Sequence, residues 1–199
     1  MKQYHVGIIG ATGMVGQRFA TLLENHPWFT VSALAASSRS AGKTYEEAVD
    51  SRWQMNTPIP ASMKNIVILD AEKDLKKIVD RVDFVFCAIN MDKQKTRELE
   101  EAYAKAECPV FSNNSANRGL PDVPMIIPEI NPEHAAVIET QRKRLGTKRG
   151  FVAVKSNCSI QSYVPAVTPL LDLGVTKVLA CTYQAISGAG KTFRTWPEM

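Results

Sequence analysis

The chain has 199 residues, 45% of them apolar, with a formal net charge of +4. That length holds one large domain, or one domain and part of another, with enough apolar side chains to bury a core. The mild positive charge suits anionic small molecules without demanding nucleic acid, and no apolar run approaches a membrane span.

Four cysteines lie far apart, at 87, 108, 158 and 181. None sits in a CxxC or CxxH spacing, and three histidines are too few for a usual cluster, so no metal site is expected. Met1-Lys2-Gln3-Tyr4 leads straight into a strand, so no signal peptide is expected. A cysteine that works as a thiol fits a reducing, cytoplasmic setting.

His5 to Ile9 reads as a buried parallel strand. Gly10-Ala11-Thr12-Gly13-Met14-Val15-Gly16 follows, and then a helix from Met14 with Val15, Phe19, Leu22 and Leu23 on one face. Strand, glycine turn and helix form the context of a dinucleotide fingerprint. Gly10 allows the tight turn, Gly13 lets backbone approach a pyrophosphate, and Gly16 lets helix and strand pack closely. Gly10, Thr12, Gly13, Met14 and Val15 are therefore candidate cofactor contacts, although the spacing is GxxGxxG and not the stricter GxGxxG.

Phe29 to Ala36 is the second strand. An NAD site usually ends this strand in Asp or Glu. Here Ser37-Ser38-Arg39 stands instead, two hydroxyls and a guanidinium suited to the 2′-phosphate of NADP. Asn65 to Leu69 is expected as a third strand, Glu72 to Arg81 as a short helix, and Asp83 to Ile89 as a buried fourth strand that brings the backbone of Cys87 near the dinucleotide. Asp92 to Ala106 is a charged helix, with Arg97, Glu101 and Lys105 spaced to pair along a solvated face. Cys108 is structural.

The strand from Pro109 ends in Ser112-Asn113-Asn114-Ser115-Ala116-Asn117-Arg118, a polar patch at a carboxyl end, where open α/β sheets bind ligands. Asn114 and Arg118 are candidates for substrate or phosphate. Pro121 to Pro132 is proline-punctuated and extended, crossing between layers. Glu133 to Leu145 reads as a helix closed by Gly146. Gly150 to Val154 is a strand, and Ser162 to Leu171 is helical, which sets Cys158 where strand gives way to helix. Unpaired N–H groups at a helix start favour thiolate, and with the Asn157 amide they are placed to hold an oxyanion. Gly174 breaks the chain, Thr176 to Ile186 reads as a long strand, and Ser187-Gly188-Ala189-Gly190 is a small-residue loop open to a ligand.

Gly10 to Gly16, Asn114 to Arg118, Pro121-Asp122-Val123-Pro124, Ser156-Asn157-Cys158-Ser159 and Gln184 to Gly190, taken in order, resemble aspartate-semialdehyde dehydrogenase. The resemblance implies a doubly wound Rossmann α/β domain over residues 1–150, and the start of a truncated α+β catalytic and dimerisation domain over 151–199. It implies NADP-dependent interconversion of 4-phosphoaspartate and aspartate 4-semialdehyde, in lysine, threonine and methionine biosynthesis, by a homodimer or homotetramer when full length. By the same resemblance Cys158 is the nucleophile, Arg118 a phosphate or substrate ligand, and Gln184 a group that holds the acyl intermediate. Ser187, Gly188, Ala189 and Gly190 line the nicotinamide side. The Ser-Ser-Arg run resembles the fungal and archaeal branch, which also resembles malonyl-CoA reductase. The family's general-base histidine and a substrate arginine are expected beyond residue 199, and none of His5, His26 or His134 matches that histidine. A non-catalytic NADP-binding fragment is the alternative of another class.

Overall fold

The structure is a computed structural model, and it describes residues 2–183. Strand β1 (Tyr4–Ile9) is the centre of the sheet because its apolar side chains alternate between two cores. Helix α1 (Met14–Leu23) carries the chain to β2 (Phe29–Ala36), which pairs with β1 in parallel from Tyr4↔Phe29 to Ile9↔Ala35. Helix α2 (Tyr45–Val49) is opened by a capping box between Thr44 and Glu47. Then come β3 (Leu69–Asp70), α3 (Leu75–Val79), β4 (Phe84–Cys87), α4 (Lys93–Lys105) and β5 (Val110–Ser112). The short strand β6 (Met125–Ile126), α5 (Ile138–Leu145), β7 (Val152–Lys155) and α6 (Cys158–Val167) complete the order.

The seven strands of the described residues are all parallel, in the order β3-β2-β1-β4-β5-β7-β6. The connections wind one way to β3 and the other way to β6, as expected of a doubly wound sheet. One face packs Val6, Ile8, Leu34 and Tyr45 with Ala20 and Leu23 of α1. The other packs Ile9, Val85, Val110, Val152 and Val154 with Leu99 and Tyr103 of α4. The order reverses between β1 and β4, so the crevice at their carboxyl ends is the ligand position that topology provides.

Several elements differ from the sequence expectation, each for a local reason. Only Leu69 and Asp70 pair with β2; residues 66–68 are held by the loop in front of them, through Tyr45 N–H to Ile66 O, Gly42 N–H to Ile68 O and Ile68 N–H to Lys43 O. The helix expected from Glu72 shrinks to α3, since the Asp70 carboxylate takes the N–H groups of Glu72 and Lys73 and turns the chain first. Residues 132–137 are 3-10 helix with Pro132 in the first turn, and α5 follows and ends at Gly146 with φ 72°. Arg97 does not pair with Glu101. Its guanidinium donates to Ala116 O at 2.8 Å, while Glu101 bonds Arg144 and Lys105.

The sheet runs past residue 150. β7 lies between β5 and β6, so Val152 to Lys155 belong to the first sheet. The strand expected from Thr176 is absent over residues 176–183, where Leu179 and Tyr183 are fully open to solvent; an extended segment needs a neighbour for its backbone groups. Among the described residues no helix is long and apolar enough to cross a membrane.

Candidate active site

The turn after β1 is built by glycines for steric reasons. Gly10 has φ +87°, and a Cβ there would sit 2.6 Å from Ala88 O. A Cβ on Gly16 would meet the Gly10 carbonyl oxygen and lie 2.7 Å from the Ala11 Cα, so α1 leaves the sheet at backbone contact. Gly10 and Ala11 donate to Ala35 O on β2, and Gly13 donates back to Gly10 O. Gly13 is the exposed N-cap of α1. It brings no side-chain cap, and the first turn holds no acidic residue, so the positive end of α1 is left for an anion. Thr12 is half-buried, while Met14 and Val15 are exposed beside this end. Two buried side chains hold the turn from behind. The Tyr45 hydroxyl donates to Ala11 O; Gln17 donates to Thr12 O and Arg52 O and accepts from Gln54 N–H. Burial pushes the Tyr45 phenol far up, so it stays a donor.

Ser37, Ser38 and Arg39 are exposed in the turn after β2, closed by Ser40 N–H to Ser37 O at 2.9 Å. Because β1 and β2 are adjacent and parallel, this loop and the glycine turn emerge at one sheet edge.

β5 and β7 deliver the remaining residues to that same edge. Asn157 caps α6, its Oδ1 accepting from Ser159 N–H at 2.8 Å, and Cys158 is the first residue of the helix and is exposed. No acidic residue lies in the first turn of α6. Arg118 reaches across: its Nε donates to Lys155 O at 3.0 Å and its Nη2 to Asn113 O at 3.3 Å, tying the loop after β5 to the end of β7. Lys155 is half-buried, and its Nζ donates to Ser156 O. Burial holds its ammonium below the usual lysine range, Arg118 pushes the same way, and Cys158 pulls against them.

Asn114 faces inward. Its amide nitrogen donates to Glu100 Oε1 at 2.9 Å and lies 3.5 Å from Cys87 Sγ. Cys87 is buried at the end of β4; burial and the neighbouring Glu100 hold its thiol well above the ordinary range. Gln184, Ser187, Gly188, Ala189 and Gly190 lie outside the described residues. Gln17, Tyr45, Glu100 and Lys155 were missed as site-supporting residues. The sequence carried a signal for Glu100: it shares a helical face with Thr96, Leu99, Tyr103 and Ala104, all buried.

The family described as semialdehyde dehydrogenase, NAD binding domain, matches residues 5–138, more than half of the chain. The chain belongs to the semialdehyde dehydrogenase family. Curated relatives named aspartate-semialdehyde dehydrogenase include one from Archaeoglobus fulgidus, 44% identical over 94% of this chain and 52% of its own length. Another, from Aspergillus fumigatus, is 42% identical over 92% of this chain and 49% of its own. The crystal structure of aspartate semialdehyde dehydrogenase with NADP from Candida albicans superimposes with a TM-score of 0.78 at 35% identity, covering 96% of this chain and 53% of that one. The chain thus spans about half the length of the family members it matches.

Proposed function

We propose that this chain carries the cofactor turn and the nucleophile of an NADP-dependent aspartate-semialdehyde dehydrogenase. The observation that carries the reading is Cys158 as the first residue of α6, at the same sheet edge as the Gly10–Gly16 turn and just past Lys155, whose carbonyl tethers Arg118. The relatives' names and the neighbour holding NADP support it.

The uncapped start of α1 fits a pyrophosphate, and Ser37, Ser38 and Arg39 fit a 2′-phosphate. The nicotinamide of NADPH, when bound, supplies the hydride that reduces the acyl group. Cys158, as thiolate, adds to the carbonyl carbon of the aspartyl acyl phosphate. The C–S bond forms, the C–O bond to phosphate breaks, and phosphate leaves with the electron pair. Arg118 receives the phosphate, and the first N–H groups of α6 with Asn157 hold the oxyanion. After reduction the C–S bond breaks and Cys158 departs again as thiolate. The same reading carries a cytoplasmic setting, a place in amino-acid biosynthesis and a homo-oligomeric enzyme. It sets the limit of the nucleotide-binding unit after Lys155 instead of at residue 150, since β7 has neighbours on both sides.

Two measurements on this chain test the reading. NADP is expected to bind more tightly than NAD, with Arg39→Ala removing about 1.5–3 kcal/mol of that preference; equal affinities in the unmutated chain would sink the cofactor assignment. Brief iodoacetamide exposure, mapped by mass spectrometry, is expected to label Cys158 ahead of Cys181. Cys181 is exposed as well but stands outside any helix, and the buried Cys87 and Cys108 are expected to label last. Labelling of Cys181 as fast as Cys158 would remove the argument for the nucleophile.

A further inference from the structure

We infer that Glu100 is a positioning residue of this site, its buried carboxylate setting the loop that presents Arg118; the inference rests on the reading of Arg118 and Cys158 given above. Glu100 is 1% exposed, on the inward face of α4. A carboxylate taken out of water needs donors on both oxygens. Here three side-chain donors come from the last residue of β5 and the loop that follows it. Ser112 Oγ donates at 2.5 Å and Asn114 Nδ2 at 2.9 Å to Oε1, while Asn117 Nδ2 donates at 2.6 Å to Oε2. Ser112 Oγ in turn accepts the Asn114 backbone N–H at 3.0 Å. One turn earlier on the same helix, Arg97 holds Ala116 O.

Residues 112–117 are thus clamped from below by two side chains of α4, and the next residue is Arg118. The carbonyl of Asn113, inside the clamped stretch, is also one of the two groups that tether the guanidinium. Removing the carboxylate takes away the acceptor that Ser112, Asn114 and Asn117 share, leaves Asn114 Nδ2 only Cys87 Sγ, and frees the loop to shift toward other partners. Arg118 would move with it, away from the end of β7 and from Cys158. Gln141 is the comparison within the fold. It is equally buried and also makes three hydrogen bonds, to Asp122 O, Val152 O and Val152 N–H, but none to the Arg118 loop.

The test measures how much inorganic phosphate half-protects Cys158 from iodoacetamide on this chain, with NADP affinity and melting temperature recorded on the same samples. Glu100→Ala is expected to raise that concentration about tenfold, in the direction of Arg118→Ala, while NADP affinity holds within about twofold because the glycine turn is untouched. In the Arg118→Ala background Glu100→Ala is expected to add nothing, since it acts through that arginine. Glu100→Gln keeps the shape and one acceptor oxygen and is expected to fall between. Gln141→Ala is expected to lower the melting temperature and leave phosphate protection unchanged. Full protection in Glu100→Ala, additivity with Arg118→Ala, or an equal loss in Gln141→Ala overturns the inference. Should Glu100→Ala not fold, Glu100→Gln with protection like the unmutated chain overturns it. Phosphate that fails to protect Cys158 in the unmutated chain overturns the reading of the site itself, and the inference with it.

Discussion

Gly16 and Gly119 stand at opposite ends of what a methyl group would meet. At Gly16 it would run into the Gly10 carbonyl oxygen and the Ala11 Cα, both backbone atoms of the cofactor turn that cannot rotate away. At Gly119 it would meet nothing within 4 Å, and the backbone there is not in the left-handed region. Gly16→Ala is therefore expected to destabilise the chain by at least about 1–3 kcal/mol and to abolish NADP binding, because relief requires α1 to move off the turn. Gly119→Ala is expected to be neutral or to stabilise by about 0.4–1 kcal/mol through the unfolded chain. Urea midpoints for the two variants, with NADP titration, check both; a Gly16→Ala protein that binds NADP normally would show that the turn has slack.

Among the connections between elements, the one from the end of α4 to the loop before β7 is anchored by the side chain of Glu107. Glu107 has φ +62°, a conformation few side chains adopt, and its carboxylate accepts the N–H groups of Lys148, Arg149 and Gly150 at 2.6–3.1 Å. Those backbone bonds hold its carboxyl below the ordinary glutamate value of 4.5. The stabilisation is fully present above about pH 4.5, the unfolded range, and is lost as pH falls through the lower folded value. Glu107→Gln is expected to lower the melting temperature at neutral pH and to flatten its fall below about pH 4.5. Parallel pH dependences in the two proteins would show that the carboxylate contributes no linkage. This anchor was not legible in the sequence, since a glutamate after a charged helix looks like any solvated end. β1, β2, β4, α1 and α4 were legible, because each repeats its own period for long enough to count. The strand expected at Asn65 to Leu69 meets β3 only at Leu69, and β6 was not legible; two residues carry no period. Cys158 was placed at a helix start by the strand before it and the apolar run after it, and the structure puts it there. Asn114 stands out in the sequence for its polar neighbours, yet the buried carboxylate of Glu100 on α4 decides where its amide nitrogen points.

For the molecule as a whole, the question is where the cooperative unit stops. Residue 150 is the end suggested by sequence, but β7 lies inside the sheet, with Val152 1%, Ala153 7% and Val154 2% exposed. Gln141 of α5, buried completely, has Val152 as partner for both its amide nitrogen and its oxygen. Ending the chain at 150 would expose Val110 and the underside of α5, strand β6 would lose the one neighbour it has among the described residues, and Arg118 would lose the Lys155 carbonyl. Two fully buried valines alone correspond to about 1.5–3 kcal/mol each, and Gln141 left with unpaired groups adds about 1–3 kcal/mol more. Against a total stability of roughly 5–15 kcal/mol, those losses are large enough to unfold the unit. Beyond residue 157 the balance is different. α6 has no buried residue, and Leu170, Leu171, Leu173 and Leu179 are 45–94% exposed, so this tail adds little to the core. Residues 1–157 are therefore expected to melt cooperatively and to bind NADP as the 199-residue chain does, whereas residues 1–150 are expected to lose both the cooperative transition and the cofactor. Calorimetry and NADP titration on the two truncated chains decide it. If 1–150 melts sharply and binds NADP, β7 is an appendage of the sheet and the unit ends where the sequence alone would have ended it.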